Sequence, residues 1–276
     1  MTHPPYRLIA LDLDGTLMDL NFKFSPRVKR AIAEAQQRGI AVTLATGRSP
    51  ISARPFAQEL DIRVPQICYQ GGSIAERDGG VLHHAALDRR LAAQVIEFAQ
   101  SRDWHVNLYV DGSFYLTELR HPLSFYEGLL NPTAQRVPDL YTLLDRDPDK
   151  VLIVADNNGD EILAGLRERF DGQMQIVRSH DLFVEAGPLG VDKGSGLAWL
   201  AKHLDVPQAQ VMAVGDQDND APMIAWAGLG VAMGNGSPAC QAAADWIAPS
   251  FAEDGAAVAI ERWALNDLIA EGAEKA

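Results

Sequence analysis

The chain has 276 residues, 47% of them apolar and 22% charged, and its 37 acids against 24 bases leave a formal charge of −13. That composition excludes a disordered or low-complexity chain, which could not bury enough apolar surface to offset ordering. The acid excess excludes a nucleic-acid polymer or an anionic membrane as partner, because both are held by lysine and arginine clusters.

Residues 8–13 (LIALDL) read as a short buried strand running into acids and Gly15. Ser25 is placed as a helix N-cap with Pro26 at the first helical position, and Gly39 as the stop after residue 38. Residues 40–45 form the next buried strand, ending at Thr46-Gly47-Arg48. A helix to about residue 60 follows, its first half interrupted by Pro50 and Pro55, and then a third strand over 65–69. Continuous apolar strands alternating with helices predict parallel βαβ units covered on both faces.

The pattern changes after residue 80. A helix is predicted over 87–101, and strands over 105–110 and 114–118 flank the hairpin signal Asp111-Gly112. A strand over 150–155, a helix over 161–170 and two short strands over 175–178 and 182–186 follow. From Lys193 the first pattern returns, with helices over 193–204, 219–227, 237–244 and 254–264 and strands over 210–214, 229–233 and 246–248. The expected architecture is α/β: a doubly wound, Rossmann-like parallel-sheet core from residues 1–83 and 188–276. An α+β domain carrying an antiparallel sheet is inserted over 84–187.

Four features fall at strand ends or helix starts of the outer pattern, where open α/β sheets bind ligands. The first is Asp12-Leu13-Asp14-Gly15-Thr16. Residues two apart on a strand share a side, and two crowded carboxylates call for a cation, with Mg²⁺ the fitting hard ion. The second is Gly215-Asp216-Gln217-Asp218-Asn219-Asp220, the densest acidic cluster of the chain. Helix capping accounts for one or two of its acids but not for the cluster. The third, Ala45-Thr46-Gly47-Arg48, offers a hydroxyl and N–H groups to a phosphate, or is a plain turn. The fourth is Lys193, whose charge at a helix start opposes the dipole unless an anion offsets it; a surface lysine is the other reading.

Taken in order, these features resemble the haloacid dehalogenase-like phosphohydrolases of the Cof-type branch, over almost the whole chain. Residues 12–16 look like the family's first motif, Thr46 its second, Lys193 its third and 215–220 its fourth; the insert falls where that branch carries a cap domain. The resemblance implies a phosphatase with Asp12 as nucleophile and Asp14 as general acid/base, with Thr46 and Lys193 completing the catalytic set. It implies Mg²⁺ held by the carboxylates of Asp12 and Asp216, by the backbone carbonyl of Asp14 and, through water, by Asp220. Phosphate oxygens would be held by the Leu13 backbone, Thr46, the Gly47 N–H, Lys193 and the Asn219 amide. A cation, a lysine and N–H donors form a sufficient kit for phosphoryl transfer. The chain departs from the branch's Asn-Gly-Ala after the third strand: Gln70-Gly71-Gly72 keeps the amide but adds a methylene. Arg48 matches the branch's Thr-Gly-Arg and receives no role.

The substrate expected is a small phosphorylated metabolite such as a sugar phosphate, nucleotide or phosphorylated cofactor. A phosphomutase using the same phosphoenzyme is the second enzyme reading. A phospho-acceptor signalling domain or a metabolite-binding protein without turnover is the reading of another class. Trp104, Tyr109, His121, Tyr126 and Glu185 are cap residues able to touch substrate or simply to pack, and His83-His84 reads as a surface pair facing opposite ways. Cys68 and Cys240 match neither a metal nor a disulfide spacing, the polar segment 1–7 lacks the apolar run of a signal peptide, and no stretch approaches ~20 apolar residues. A cytoplasmic monomer or homodimer is expected.

Overall fold

The computed structural model describes residues 6–18, 22–122, 125 and 134–266. The first part of the chain forms β1 (Leu8–Leu11), α1 (Pro26–Gln37), β2 (Ala41–Leu44), α2 (Pro50–Glu59), β3 (Gln66–Cys68), β4 (Ser73–Ala75) and β5 (Val81–His84). The middle forms α3 (Arg89–Gln100), β6 (His105–Val110), β7 (Ser113–Leu116), β8 (Gln135–Arg136), β9 (Lys150–Val154), α4 (Gly159–Phe170), β10 (Gln175–His180) and β11 (Phe183–Gly187). The last part forms α5 (Lys193–His203), β12 (Val211–Gly215), α6 (Ala221–Trp226), β13 (Leu229–Ala232), α7 (Pro238–Ala242), β14 (Trp246–Ile247) and α8 (Gly255–Trp263).

The first sheet has the order β14-β13-β12-β1-β2, and every neighbouring pair is parallel. Its strands β1, β2, β12 and β13 are apolar apart from Thr43 because both faces are covered. Ile9, Leu11, Val42 and Val214 face α1 and α8, packing with Ile32 and Ile260. Leu8, Ala10, Val211 and Ala213 face α5 and α6, packing with Leu200 and Met223. Two sequence segments far apart therefore build one doubly wound core. The helix starts follow the expected chemistry: the side chains of Ser25 and Ser49 accept from Val28 and Ser52 N–H, each with proline at the first helical position. α2 runs unbroken through Pro55. Pro50 costs it nothing, since the N–H it lacks has no helical partner there.

The second sheet, ordered β10-β11-β9-β6-β7-β8, is antiparallel except for its short β7–β8 pair. Its side chains alternate. Val106, Leu108, Val151, Ile153 and Val184 pack beneath α3 and α4. Tyr109, Lys150, Leu152, Phe183 and Glu185 line a cavity shared with the first sheet's loops. This sheet forms the cap.

The third strand departs from expectation. β3 touches the parallel sheet through one bridge, Ala45 to Ile67, and then leads an antiparallel β3-β4-β5 sheet. The chain reverses after it through positive φ at Tyr69 (48°), Gln70 (57°) and Gly71 (100°). The predicted helix over 219–227 opens instead as a 3-10 turn at Asp218–Asp220 before α6. No helix among the described residues is long and apolar enough to cross a membrane.

Candidate active site

β1 lies between β12 and β2, so the chain winds away from it in both directions, and the crevice at such a switch point is where this architecture binds ligands. Asp12 leaves the end of β1 and Asp216 the end of the adjacent β12, with Asp12 N–H donating to Val214 O at 3.0 Å. Gly15 makes the exit with φ +91°, and a Cβ there would collide with Asp216 Oδ2. Thr16 Oγ1 donates to Asp216 Oδ1 at 2.9 Å, fixing that carboxylate. Gly15→Ala is expected to lower stability by about 1–3 kcal/mol, from the backbone strain and the displaced carboxylate together. A denaturant midpoint within error of the parent's would contradict this.

Asp220 organises the second acidic loop. Its Oδ2 accepts from the N–H groups of Asp216 and Gln217, both at 2.9 Å, and its Oδ1 accepts from Lys193 Nζ at 2.5 Å. The same ammonium donates to Asp12 Oδ1 at 2.6 Å, with the lysine side chain 0% exposed. Lys193 is thus no surface residue; its charge at the start of α5 answers two buried carboxylates. Ligand oxygens of Asp12, Asp216 and Asp220 lie within 4.8 Å of one another.

Three buried carboxylates face one ammonium among the described residues, and the shifts of Asp12, Asp216 and Lys193 follow from that imbalance. Burial, then the nearby Asp220 charge, push the Asp12 carboxyl well above its usual range, against the pull of Lys193. Burial and Asp220 likewise push Asp216 up to about 6, despite hydrogen bonds from Thr16 and Gln217 that lower it. Burial disfavours the Lys193 charge, yet Asp12 and Asp220 hold its pKa above the ordinary lysine value. The site is short of positive charge, and hard oxygen donors at this spacing fit a small divalent cation.

The Asp218 and Asp14 carboxylates stand apart from this triad. Asp218 is exposed, because residues two apart in a 3-10 turn point in different directions while Asp220 turns inward. The carboxylate of Asp14 is 39% exposed and accepts from Arg48 Nη2 at 2.7 Å and Nε at 2.8 Å. β1 ends at Leu11, so the two-residue alternation that would set Asp12 and Asp14 side by side does not apply beyond it. The buried Arg48 also lies 5.2 Å from the ring centres of Phe22 and Phe56.

Thr46 follows β2, is buried, and its Oγ1 accepts from Arg48 N–H at 3.2 Å, so the loop is a built turn as well as a candidate phosphate contact. Leu13 is fully buried, and its carbonyl accepts from the N–H groups of Leu17 and Met18, both at 3.0 Å. Asn219 Nδ2 donates to Gln70 Oε1 at 2.9 Å, and Gln70 Nε2 donates to Glu185 Oε1 at 3.3 Å. The extra methylene of Gln70 thus spans from the acidic loop to the cap.

Asp12, Asp14, Thr46, Arg48, Gln70, Asp216, Asn219 and Asp220 line a cavity of about 520 Å³, within the usual range for small-molecule sites, while Leu13 and Lys193 lie outside its lining. Of the cap residues singled out from sequence, Tyr109 and Glu185 line it. Trp104 packs edge-on against Phe98 in the cap's core, and His121 stacks on Phe125 with Asp156 3.3 Å from its Nε2. Tyr126 lies outside the described residues. His84 binds Asp149 at 2.7 Å while His83 stacks on Trp199, so the two histidines diverge. Sequence reasoning missed Lys150, which lines the cavity; its only signal was a cation opening the buried strand KVLIV.

A family model described as haloacid dehalogenase-like hydrolase matches residues 9–260. The chain is 30% identical over 262 residues to the 5-amino-6-(5-phospho-D-ribitylamino)uracil phosphatase YcsE of Bacillus subtilis, covering 94% of this chain and 96% of that protein. It is 30% identical over 237 residues to the HMP-PP phosphatase of Serratia proteamaculans, covering 84% and 85%. Among solved structures, a haloacid dehalogenase-like hydrolase from Bacteroides thetaiotaomicron matches with a TM-score of 0.80 at 30% identity, over 93% of this chain and 99% of that one. The chain belongs to the haloacid dehalogenase-like hydrolases. The Cof-type resemblance and the phosphatase class expected from the motif order agree with these relatives.

Proposed function

We propose that the protein is a Mg²⁺-dependent phosphomonoesterase acting on small phosphorylated metabolites through an aspartyl-phosphate on Asp12. The observation that carries this reading is the carboxylate triad beside one buried lysine, opening into a cavity at the sheet's switch point. Mg²⁺ would be held by the carboxylates of Asp12 and Asp216 and the Asp14 carbonyl, and when bound supplies the positive charge that lets a phosphate dianion enter. Both Asp220 oxygens already accept protein hydrogen bonds, which suits a water-mediated role for it.

A carboxylate oxygen of Asp12 attacks phosphorus, the P–O bond to the leaving group breaks, and Asp14 delivers a proton to the departing oxygen. Asp14 then takes a proton from the water that attacks the phosphoenzyme, returning Asp12 and releasing phosphate. To act first as an acid, Asp14 must exchange its Arg48 pairing for the leaving oxygen. Thr46, the Gly47 N–H, the Leu13 backbone, Lys193 and the Asn219 amide hold the phosphoryl oxygens. The cap sheet covers the reacting groups and limits water.

A panel of sugar phosphates, nucleotides and phosphorylated cofactors assayed for free phosphate tests the reading. Release is expected with Mg²⁺, with loss to background in excess chelator and recovery on adding Mg²⁺ back. Undiminished release in chelator would overturn the metal assignment. Isomerised sugar phosphate without free phosphate would favour a mutase.

A further inference from the structure

What the cavity admits beyond the phosphate is set by its cap-side wall. β6, β9 and β11 present Tyr109, Leu152 and Phe183 there, an apolar and partly aromatic surface. The same wall carries one ion pair. Lys150 Nζ lies 2.5 Å from Glu185 Oε2, with the two side chains 6% and 5% exposed. Lys150 also donates to Gly47 O at 2.9 Å and lies 4.8 Å from the centre of the Tyr109 ring. Glu185 Oε1 accepts from Ser179 Oγ and from Gln70 Nε2.

Among the described residues, each cation lining the cavity is therefore matched to a carboxylate: Arg48 to Asp14 and Lys150 to Glu185. Lys193, behind the triad, is shared by Asp12 and Asp220. Asp181 adds a further acid at the cavity's solvent edge, 3.7 Å from Arg178 Nη2. On the cap side of the cavity, a second anion carried by the leaving group would meet Glu185 and Asp181, with Lys150 already matched by Glu185. A hydroxyl or N–H on the leaving group finds acceptors in the same place, and a flat or aliphatic skeleton finds Tyr109, Leu152 and Phe183.

We propose that the Lys150–Glu185 pair is a charge-matched selector that restricts this enzyme to monoesters whose leaving group is uncharged or cationic. The inference rests on the phosphatase reading above and adds to it the charge class of the leaving group. Glu185 is the discriminating member, because it cancels the one cation the cap sheet brings to the cavity wall among the described residues.

The test compares p-nitrophenyl phosphate with 4-carboxyphenyl phosphate, whose para groups have the same shape and differ by one charge. The readout is the ratio of kcat/KM for the two esters with Mg²⁺. Relative to the parent ratio of nitro to carboxy ester, Glu185→Gln leaves Lys150 unmatched and is expected to lower it by about ten-fold or more. Lys150→Gln leaves Glu185 unmatched and is expected to raise it, which reads the same selector should Glu185→Gln fail to fold. The double variant restores neutrality and is expected to return to within about three-fold of the parent. Hydrolysis of both esters with the ratio unmoved in the folded single variants, or moved the same way in both, overturns the selector and leaves the phosphatase reading intact. No phosphate release by the parent from either ester or from the metabolite panel overturns that reading and the selector with it.

Discussion

Replacing Asp12 with asparagine is expected to lower phosphate release by about 10⁴-fold or more, the scale seen when a catalytic nucleophile is removed, while leaving the fold intact. The swap preserves shape, and the asparagine oxygen still accepts from Lys193 in place of Asp12 Oδ1. What disappears is the carboxylate that attacks phosphorus in the proposed mechanism. The stability effect has a definite sign. Asp12 is pushed above the free value of 3.8, first by burial and then by Asp220. An acid whose folded pKa is raised destabilises the fold as pH climbs from its unfolded pKa through the folded one. Asparagine carries no such cost, so in chelator at neutral pH the variant should unfold at or above the parent's midpoint. Turnover within ten-fold of the parent, or a folded variant markedly less stable in chelator, would contradict this assignment of Asp12.

The parts of this site legible in the sequence are those whose signal is local. Asp12 and Gly15 stand against an apolar run, and Asp216 and Asp220 against another, so their place at strand ends can be read within a few residues. Lys193 was legible as a charge in the wrong place, although the identity of the anions answering it was not. The rest depends on distance along the chain. Arg48 reaches Asp14 across 34 positions, Lys150 reaches Gly47 across 103, and Gln70 reaches Glu185 across 115. No periodicity records such meetings, and the same residue types are ordinarily solvated. The β4–β5 hairpin is a different failure. Asp78-Gly79-Gly80 is turn chemistry, with Gly79 at φ +102°, but its strands are three and four residues long, too short for an alternation to stand out. The acidic run 216–220 does not itself show which carboxylates turn inward, because a 3-10 turn distributes Asp218 and its neighbours around its axis.

Lys193→Met is expected to produce the largest loss of stability of any single change at the site. The side chain is fully enclosed, and among the described residues its ammonium is the one cation bonded to Asp12 and Asp220. Removing one partner of a buried pair strands the other, at a cost of about 3–5 kcal/mol. Here two carboxylates are stranded, beside a third in Asp216. The loss should be fully expressed at neutral pH. Lys193 holds its proton above the free value of 10.5 through Asp12 and Asp220, although burial opposes this, so its stabilisation is complete below that pH and fades only as pH rises through the folded pKa. At the acid end the gap between variant and parent should narrow as the stranded carboxylates take up protons. Divalent metal should act in the same direction. A triad without its ammonium is more negative, so Mg²⁺ should bind the variant more tightly and raise its unfolding midpoint more than the parent's. Catalysis should not recover with the fold if, as proposed, the lysine also holds a phosphoryl oxygen, because the metal cannot occupy both places. Thermal midpoints of parent and variant, each with Mg²⁺ and with chelator, separate these effects. Equal shifts on adding Mg²⁺ would show that the ion does not report on the charge Lys193 balances, and recovered turnover would remove the lysine from phosphoryl transfer.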